Sequence, residues 1–276
     1  MTNQQAERGG AQYTRRYGET WNKILFDYYL KSKTCPVLLW EILKHPFALL
    51  RNYRKVQREA PVERVDENGN MFYRVRDKEE LVECLVLDPS CFLFAVSYCQ
   101  KPHSCPSGRY TANCSHPGGP VCDACGIGKM KAVALRLGVR FHISTTGHWA
   151  VVDALIPMFR RTRKKMKPGT CMVSTCPMVC SLIKGMAGYF DLRAAVYNFR
   201  SGVCGTLKEY DLAERGLKRE KPRLAPSATS EMMWVLQEAE ERLRPQLPAG
   251  QDGDTDPGAC LSVAREIGVN RGAVSG

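Results

Sequence analysis

Nothing in this chain stays apolar for long. The longest such stretches, CPVLLWEIL and CLVLDPSCFLFAV, are broken by charge or proline well short of the roughly 20 residues that a membrane span requires. No transmembrane segment is expected, and the chain reads as soluble. The start, MTNQQAERGGAQYTRRYGE, lacks an apolar h-region and a small-residue cleavage site, which argues for a reducing, cytoplasmic setting. Histidine is scarce, with five in all. No acid/base pair or Ser/His/Asp arrangement stands out, so any chemistry must be centred on metal or thiol. No internal repeat is visible.

Sulfur is present in excess: thirteen cysteines among 276 residues. A chain of this length with 44% hydrophobic residues buries a core without staples. In a reducing compartment, clustered cysteines bind metal or do redox work more often than they form structural disulfides. Nine form a spaced series: Cys99, Cys105, Cys114, Cys122, Cys125, Cys171, Cys176, Cys180 and Cys204. Cys35, Cys84, Cys91 and Cys260 fall outside it and are assigned to packing.

Local pattern divides the chain into four parts. Residues 1–18 read as a flexible tail. Residues 19–90 hold helices divided by Pro36 and Pro46. A hairpin follows around Asn68-Gly69, then a helix capped by Asp77 with Glu80 three residues on, which makes Cys84 a core thiol. Across these helices, Trp21 to Tyr53 mixes aromatics and leucines with lysine and arginine. It reads as a helical pair packed on its own domain, with a peripheral membrane contact as the alternative.

Residues 91–218 read as a cysteine-rich domain. It has a loop-like stretch from Cys91 to Cys125, a helix over 126–138, and strands at 139–144, 171–175 and 194–199, with a helix beginning near His148. Strands alternating with helices give the expected class: α/β, a small layered domain with parallel strands and a metal-binding loop, plus helical N- and C-terminal extensions. Residues 219–276 read as a linker and a C-terminal helix with Ser230 as N-cap.

The Cys122-x2-Cys125 pair lets two sulfurs converge on one centre while backbone N–H groups face them, a geometry that suits zinc and iron alike. Structural zinc usually shows two paired knuckles, and here a single Cys-x2-Cys stands among dispersed thiols. Iron–sulfur clusters accept dispersed ligands, and the steps Cys105-Pro106 and Cys176-Pro177 suit cluster loops. One or two [4Fe–4S] clusters are therefore expected, with zinc as the alternative.

The run CDACGIGKMKAVALRLGVRFHISTTG, preceded by Cys99 and Cys105-Pro106 and followed by VSTCPMVC and NFRSGVCGTLKEYDLAERGLK, resembles a cysteine-rich prokaryotic family catalogued only as a domain of unknown function. The resemblance covers about residues 95–218. It implies an iron–sulfur protein whose ligands include Cys99, Cys105, Cys122, Cys125, Cys176 and Cys204. It names no reaction. Cys171 and Cys180 look like additions to the family pattern, and an Arg/Lys-rich insertion separates its halves.

Gly126-x-Gly128-Lys129 at a helix start offers a second cofactor reading, a phosphate cradle, though it lacks full P-loop spacing. Glycines that let the backbone approach a cluster are the favoured explanation. His148, at a strand-to-helix turn, is a candidate cofactor-binding residue. His103 and His116 are read as polar loop residues before ligands.

The net charge is +12 and the run FRRTRKKMKPG is strongly basic. Read sharply, this suits an acidic redox partner; read plainly, the run is a solvated face. No interleaved aromatics or recognition helix supports nucleic acid. The functional expectation is electron transfer, or a redox or cofactor-assembly enzyme or accessory. Its alternative is a zinc-stabilised module that docks an acidic partner.

Overall fold

The sheet begins with the Asn-Gly hairpin. Strands β1 (Glu63–Val65) and β2 (Met71–Tyr73) pair antiparallel with Val65 opposite Met71. Asp66 closes the turn, its carboxylate accepting from the N–H groups of Asn68 and Asn70 at 2.9 and 2.8 Å. Gly69 takes φ +70°, a value that L side chains rarely adopt. The computed structural model describes residues 40–59, 63–145, 149–204, 209, 212–213, 217 and 220–244. The chain divides into two compact units, Met1–Arg242 and Leu243–Gly276. Every described strand and helix lies in the first unit, apart from Leu243 at the end of the final helix.

Five more strands extend the hairpin: β3 (Phe92–Ser97), β4 (Arg140–Ser144), β5 (Gly169–Thr175), β6 (Leu192–Ser201) and β7 (Arg223–Leu224). Their order is β1-β2-β6-β5-β3-β4, with β7 off this path on β6. The pairs β6/β5, β5/β3 and β3/β4 are parallel. β5 is buried at every residue, as a strand covered on both faces must be.

Helices supply the cover. These are α1 (Pro46–Arg58), α2 (Lys78–Leu87), α3 (Pro120–Cys125), α4 (Ile127–Arg136), α5 (Trp149–Lys165), α6 (Pro177–Phe190) and α7 (Pro226–Leu243). On one face, Leu49 and Val56 of α1, Leu155 and Phe159 of α5, and Ile183 and Phe190 of α6 pack with Leu93, Cys171, Val173 and Val196 of the sheet. Alternation along each strand sends Phe94, Met172 and Tyr197 to the opposite face. Tyr197 there donates its hydroxyl to Glu231 of α7 at 2.8 Å.

This wiring fixes where a site can form. β3 leads through α4 to β4, and β5 leads through α6 to β6. Right-handed crossovers running in opposite directions put these two helices on opposite faces. The carboxyl ends of the neighbours β3 and β5 therefore flank a crevice, the usual ligand position in open α/β sheets. Cys99 follows β3, Cys176 follows β5 and Cys204 follows β6.

Several expectations need correction. The loop read from Cys91 to Cys125 contains β3, a central strand, and ends in the short helix α3. The C-terminal helix begins at Pro226 rather than at Ser230, whose hydroxyl instead bonds back to the Pro226 carbonyl at 3.2 Å. Proline is well placed there, since its missing N–H is one that a first helical turn leaves unused. Asp77 caps α2 as expected, accepting from Glu80 N at 2.9 Å. Cys84 is only half-buried and accepts from Arg193 Nη1 at 2.9 Å, so it is no core thiol.

The basic run lies on the last turns of α5, where cations suit the negative helix end. Half of it works inside the molecule. Arg160 pairs with the buried Glu41, Arg161 donates to the Ser90 carbonyl at 2.9 Å, and Lys165 meets Asp88 at 2.7 Å. Burial alone would raise the Asp88 pKa, but bonds from Lys165, Ser90 and Cys91 outweigh it and hold the carboxyl down to about 2.

A folded pKa below the unfolded value stabilises above roughly pH 4, and the gain is lost as pH falls through about 2. Asp88→Asn should therefore cost about 2 kcal/mol at pH 7 by denaturant titration. The gap from wild type should close near pH 2; an equal gap at both pH values would refute the coupling.

Candidate metal centre

Between β3 and α3 the chain runs from Tyr98 to Gly119 with one short 3-10 turn, Tyr98–Gln100. A single buried side chain organises it. Lys101 is 1% exposed, and its Nζ donates to the carbonyls of Gly108, Thr111 and Asn113 and to the Thr111 hydroxyl. An ammonium held by oxygens without a carboxylate is unusual, because burying a charge costs several kcal/mol unless its donors are met. Here they are met by backbone dipoles, and the loop is gathered around them. Ser107 and Ser115 bond at 2.7 Å, and Lys131 Nζ of α4 takes the Cys114 carbonyl at 2.8 Å.

The gathered loop brings Cys105 and Cys114 to one cavity with Cys122 and Cys125 of α3. Lys101, His116, Ile127 and Gly128 stand in the same wall. The cavity is small, about 20 Å³. Among the described residues, no three His, Cys, Asp or Glu side chains stand in the tight geometry of a bound ion. The four share a cavity without meeting at one point.

Local geometry fits a thiolate-held centre. α3 ends and α4 begins at Gly126, in the left-handed conformation at φ +71°. That break turns the Ile127 N–H back onto the Cys125 sulfur. Burial pushes the Cys125 thiol up; Cys114 and Cys105 push the same way, while the Ile127 N–H and Lys221 oppose them. Thiols crowded in this way ionise together only when a multivalent cation compensates their charge.

Gly128 is required by contact, since a Cβ there would collide with the His116 ring. That ring keeps a buried Nδ1 without a hydrogen-bond partner, as would suit a polar or charged neighbour in the cavity. Burial lowers the Lys221 pKa while the Cys125 sulfur resists the fall. Lys101 in the wall and Lys221 near the Cys125 sulfur bring positive charge to the site, as an anionic thiolate centre requires.

The remaining candidates are placed otherwise. Cys99 is half-buried beside Ser97, whose hydroxyl accepts from its N–H at 3.3 Å. Cys176 starts α6, and Cys204 is buried past the end of β6. None of these three lines the cavity; they share the carboxyl end of the sheet with it. Cys171 is fully buried mid-strand, its thiol pushed up to about 12 by burial. Cys180, on α6, is likewise pushed up to about 12 by burial and donates to Asn198 Oδ1 at 3.0 Å.

Lys129 turns outward to Asp123 at 3.1 Å, so Gly126 and Gly128 serve the cysteine wall without it. His148 lies outside the described residues, as do Cys35 and Cys260. Sequence reasoning misses Lys101, because a loop lysine reads as solvated; the six residues Lys101–Pro106 with two prolines and a cysteine are its one signal.

No protein-family model, curated protein or solved structure matches the chain.

Proposed function

We propose that this is an iron–sulfur protein that takes part in electron transfer or in redox or cofactor-assembly chemistry, with Cys105, Cys114, Cys122 and Cys125 holding one [4Fe–4S] cluster. The observation that carries the reading is that four cysteines spread over 21 residues line one small cavity at the carboxyl end of a parallel sheet. Such a cluster supplies one-electron exchange.

The chain's own residues do the rest. The Ile127 N–H bonds the Cys125 sulfur. Lys101 and Lys131 hold the loop and bring positive charge to it. Cys122 is buried, and Cys105, Cys114 and Cys125 are half-buried. Cys99 and Cys176 follow β3 and β5, whose carboxyl ends flank the crevice where a substrate would approach, and Cys204 follows β6 at the same end of the sheet. Exposed Arg163 and Lys164 at the end of α5 remain available to an acidic redox partner.

The test is composition under anaerobic purification. A brown protein absorbing near roughly 400 nm, with about four irons and four sulfides per chain, is the expected result. Colourless protein with one zinc per chain would establish the zinc-stabilised module instead, which four thiols also suit. Protein with neither metal would end both readings.

A further inference from the structure

The helical start of the described chain carries a surface that the sulfur site does not use. Residues 40–44 are helical, and the Leu49 N–H to His45 carbonyl bond of 3.1 Å leads into α1. The inner side of α1 is firmly held. Leu49 and Val56 are buried, Tyr53 stacks on Tyr189 at 4.9 Å, and Lys55 pairs with Asp191 at 3.0 Å.

The outer side carries large apolar groups on two helical pieces that meet at His45. Trp40, Leu43, Phe47 and Leu50 are 55%, 72%, 85% and 44% exposed. Trp40 and Leu43 lie three residues apart on the helical piece before His45, Phe47 and Leu50 three apart on α1 after it, and Arg51, Arg54 and Arg58 stand beside the same open groove as Phe47 and Leu50. Lys44 lies 4.7 Å over the Trp40 ring.

Charge selects the occupant. The acids of this segment are already paired, the buried Glu41 with Arg160 and Glu59, at the end of the groove, with Arg74. Among the described residues, no carboxylate pairs with Arg51, Arg54 or Arg58. Singly exposed apolar residues are ordinary, but an exposed tryptophan, phenylalanine and two leucines close together in the chain are not. Exposed apolar groups on helices with arginines near them fit a deformable, negatively charged face better than a shaped protein groove.

We infer that this outer side is a docking surface for an anionic lipid bilayer. Trp40, Leu43, Phe47 and Leu50 enter the headgroup boundary, and Arg51, Arg54 and Arg58 meet lipid phosphates and carboxylates. The protein lies on the membrane by this surface; no helix among the described residues is long and apolar enough to cross one.

The experiment is co-sedimentation of the full chain with vesicles at about 0.15 M salt, comparing phosphatidylcholine alone with phosphatidylcholine containing about a third phosphatidylglycerol. Binding should be at least about tenfold stronger with the anionic lipid. The pair Leu43→Ser and Phe47→Ser should weaken it about tenfold, and Arg51→Gln with Arg54→Gln should remove the preference for anionic lipid. The outer side chains are not part of the core, so the unfolding transition should stay at its wild-type position.

The inference is overturned if wild-type protein ignores anionic vesicles. It is also overturned if poly-glutamate binds where vesicles do not, which would indicate an acidic protein partner, or if Phe47→Ser merely dissociates a dimer. Should a variant fail to fold, the wild-type comparison of the two vesicle types still decides.

Discussion

Lys101→Met should open the loop between β3 and α3 and abolish metal binding together. Two effects compete. Removing the ammonium relieves its desolvation cost, which is several kcal/mol. It also deletes bonds to three carbonyls and a hydroxyl. Charged hydrogen bonds contribute about 1.5–3 kcal/mol each, and part-buried carbonyls left unmet cost about 1–3 kcal/mol each.

The losses outweigh the relief, so the net destabilisation should be about 2–4 kcal/mol, concentrated in residues 101–119. Limited proteolysis should then cut near Gly108–Asn113 before any other internal site. Lys101→Arg should not rescue, because a planar fork cannot reach carbonyls arranged around a point charge. A Lys101→Met protein with wild-type protease resistance and metal content would show that the loop is held by something else.

The second large effect divides the cysteines. Serine at Cys105, Cys114, Cys122 or Cys125 should lower the iron and sulfide bound per chain by about tenfold or more after desalting, since each lines the shared cavity. Cys171→Ala should leave both unchanged and cost about 1–2 kcal/mol of stability, from a small void among Leu93, Val173 and Ala194. Serine at Cys99, Cys176 or Cys204 should also leave the iron count intact. A partial loss there would mean that a second centre sits at the strand ends. Iron that survives all four cavity substitutions would refute the assignment.

The alternation of strands and helices, the hairpin and the Asp77 cap were legible because each has a local cause: period, turn chemistry or a capping carboxylate. β3 was not. FLFAV is apolar without alternation, since a central parallel strand is covered on both faces, and such a run surrounded by proline-rich loop carries no period to read. The onset of α7 was hidden because APSATS has the composition of a linker, while Pro226 in fact begins the helix.

At the site, spacing pointed to the Cys122-x2-Cys125 pair, and counting added Cys105 and Cys114. Counting could not distinguish these from Cys171, whose neighbours in GTCMVST are buried alike. The family resemblance passed over Cys114 and included Cys99, whereas the fold brings Cys114 to the cavity wall. Lys101 was invisible for a different reason: its partners are backbone carbonyls 7 to 12 residues away, and no sequence pattern marks a carbonyl as an acceptor.

The most direct measurement is anomalous diffraction at the iron absorption edge from crystals grown without oxygen. A compact group of iron peaks within bonding reach of the sulfurs at positions 105, 114, 122 and 125 is the predicted result. A map with those four sulfurs protonated and packed on one another, and no anomalous density near them in protein purified anaerobically with iron supplied, would contradict it.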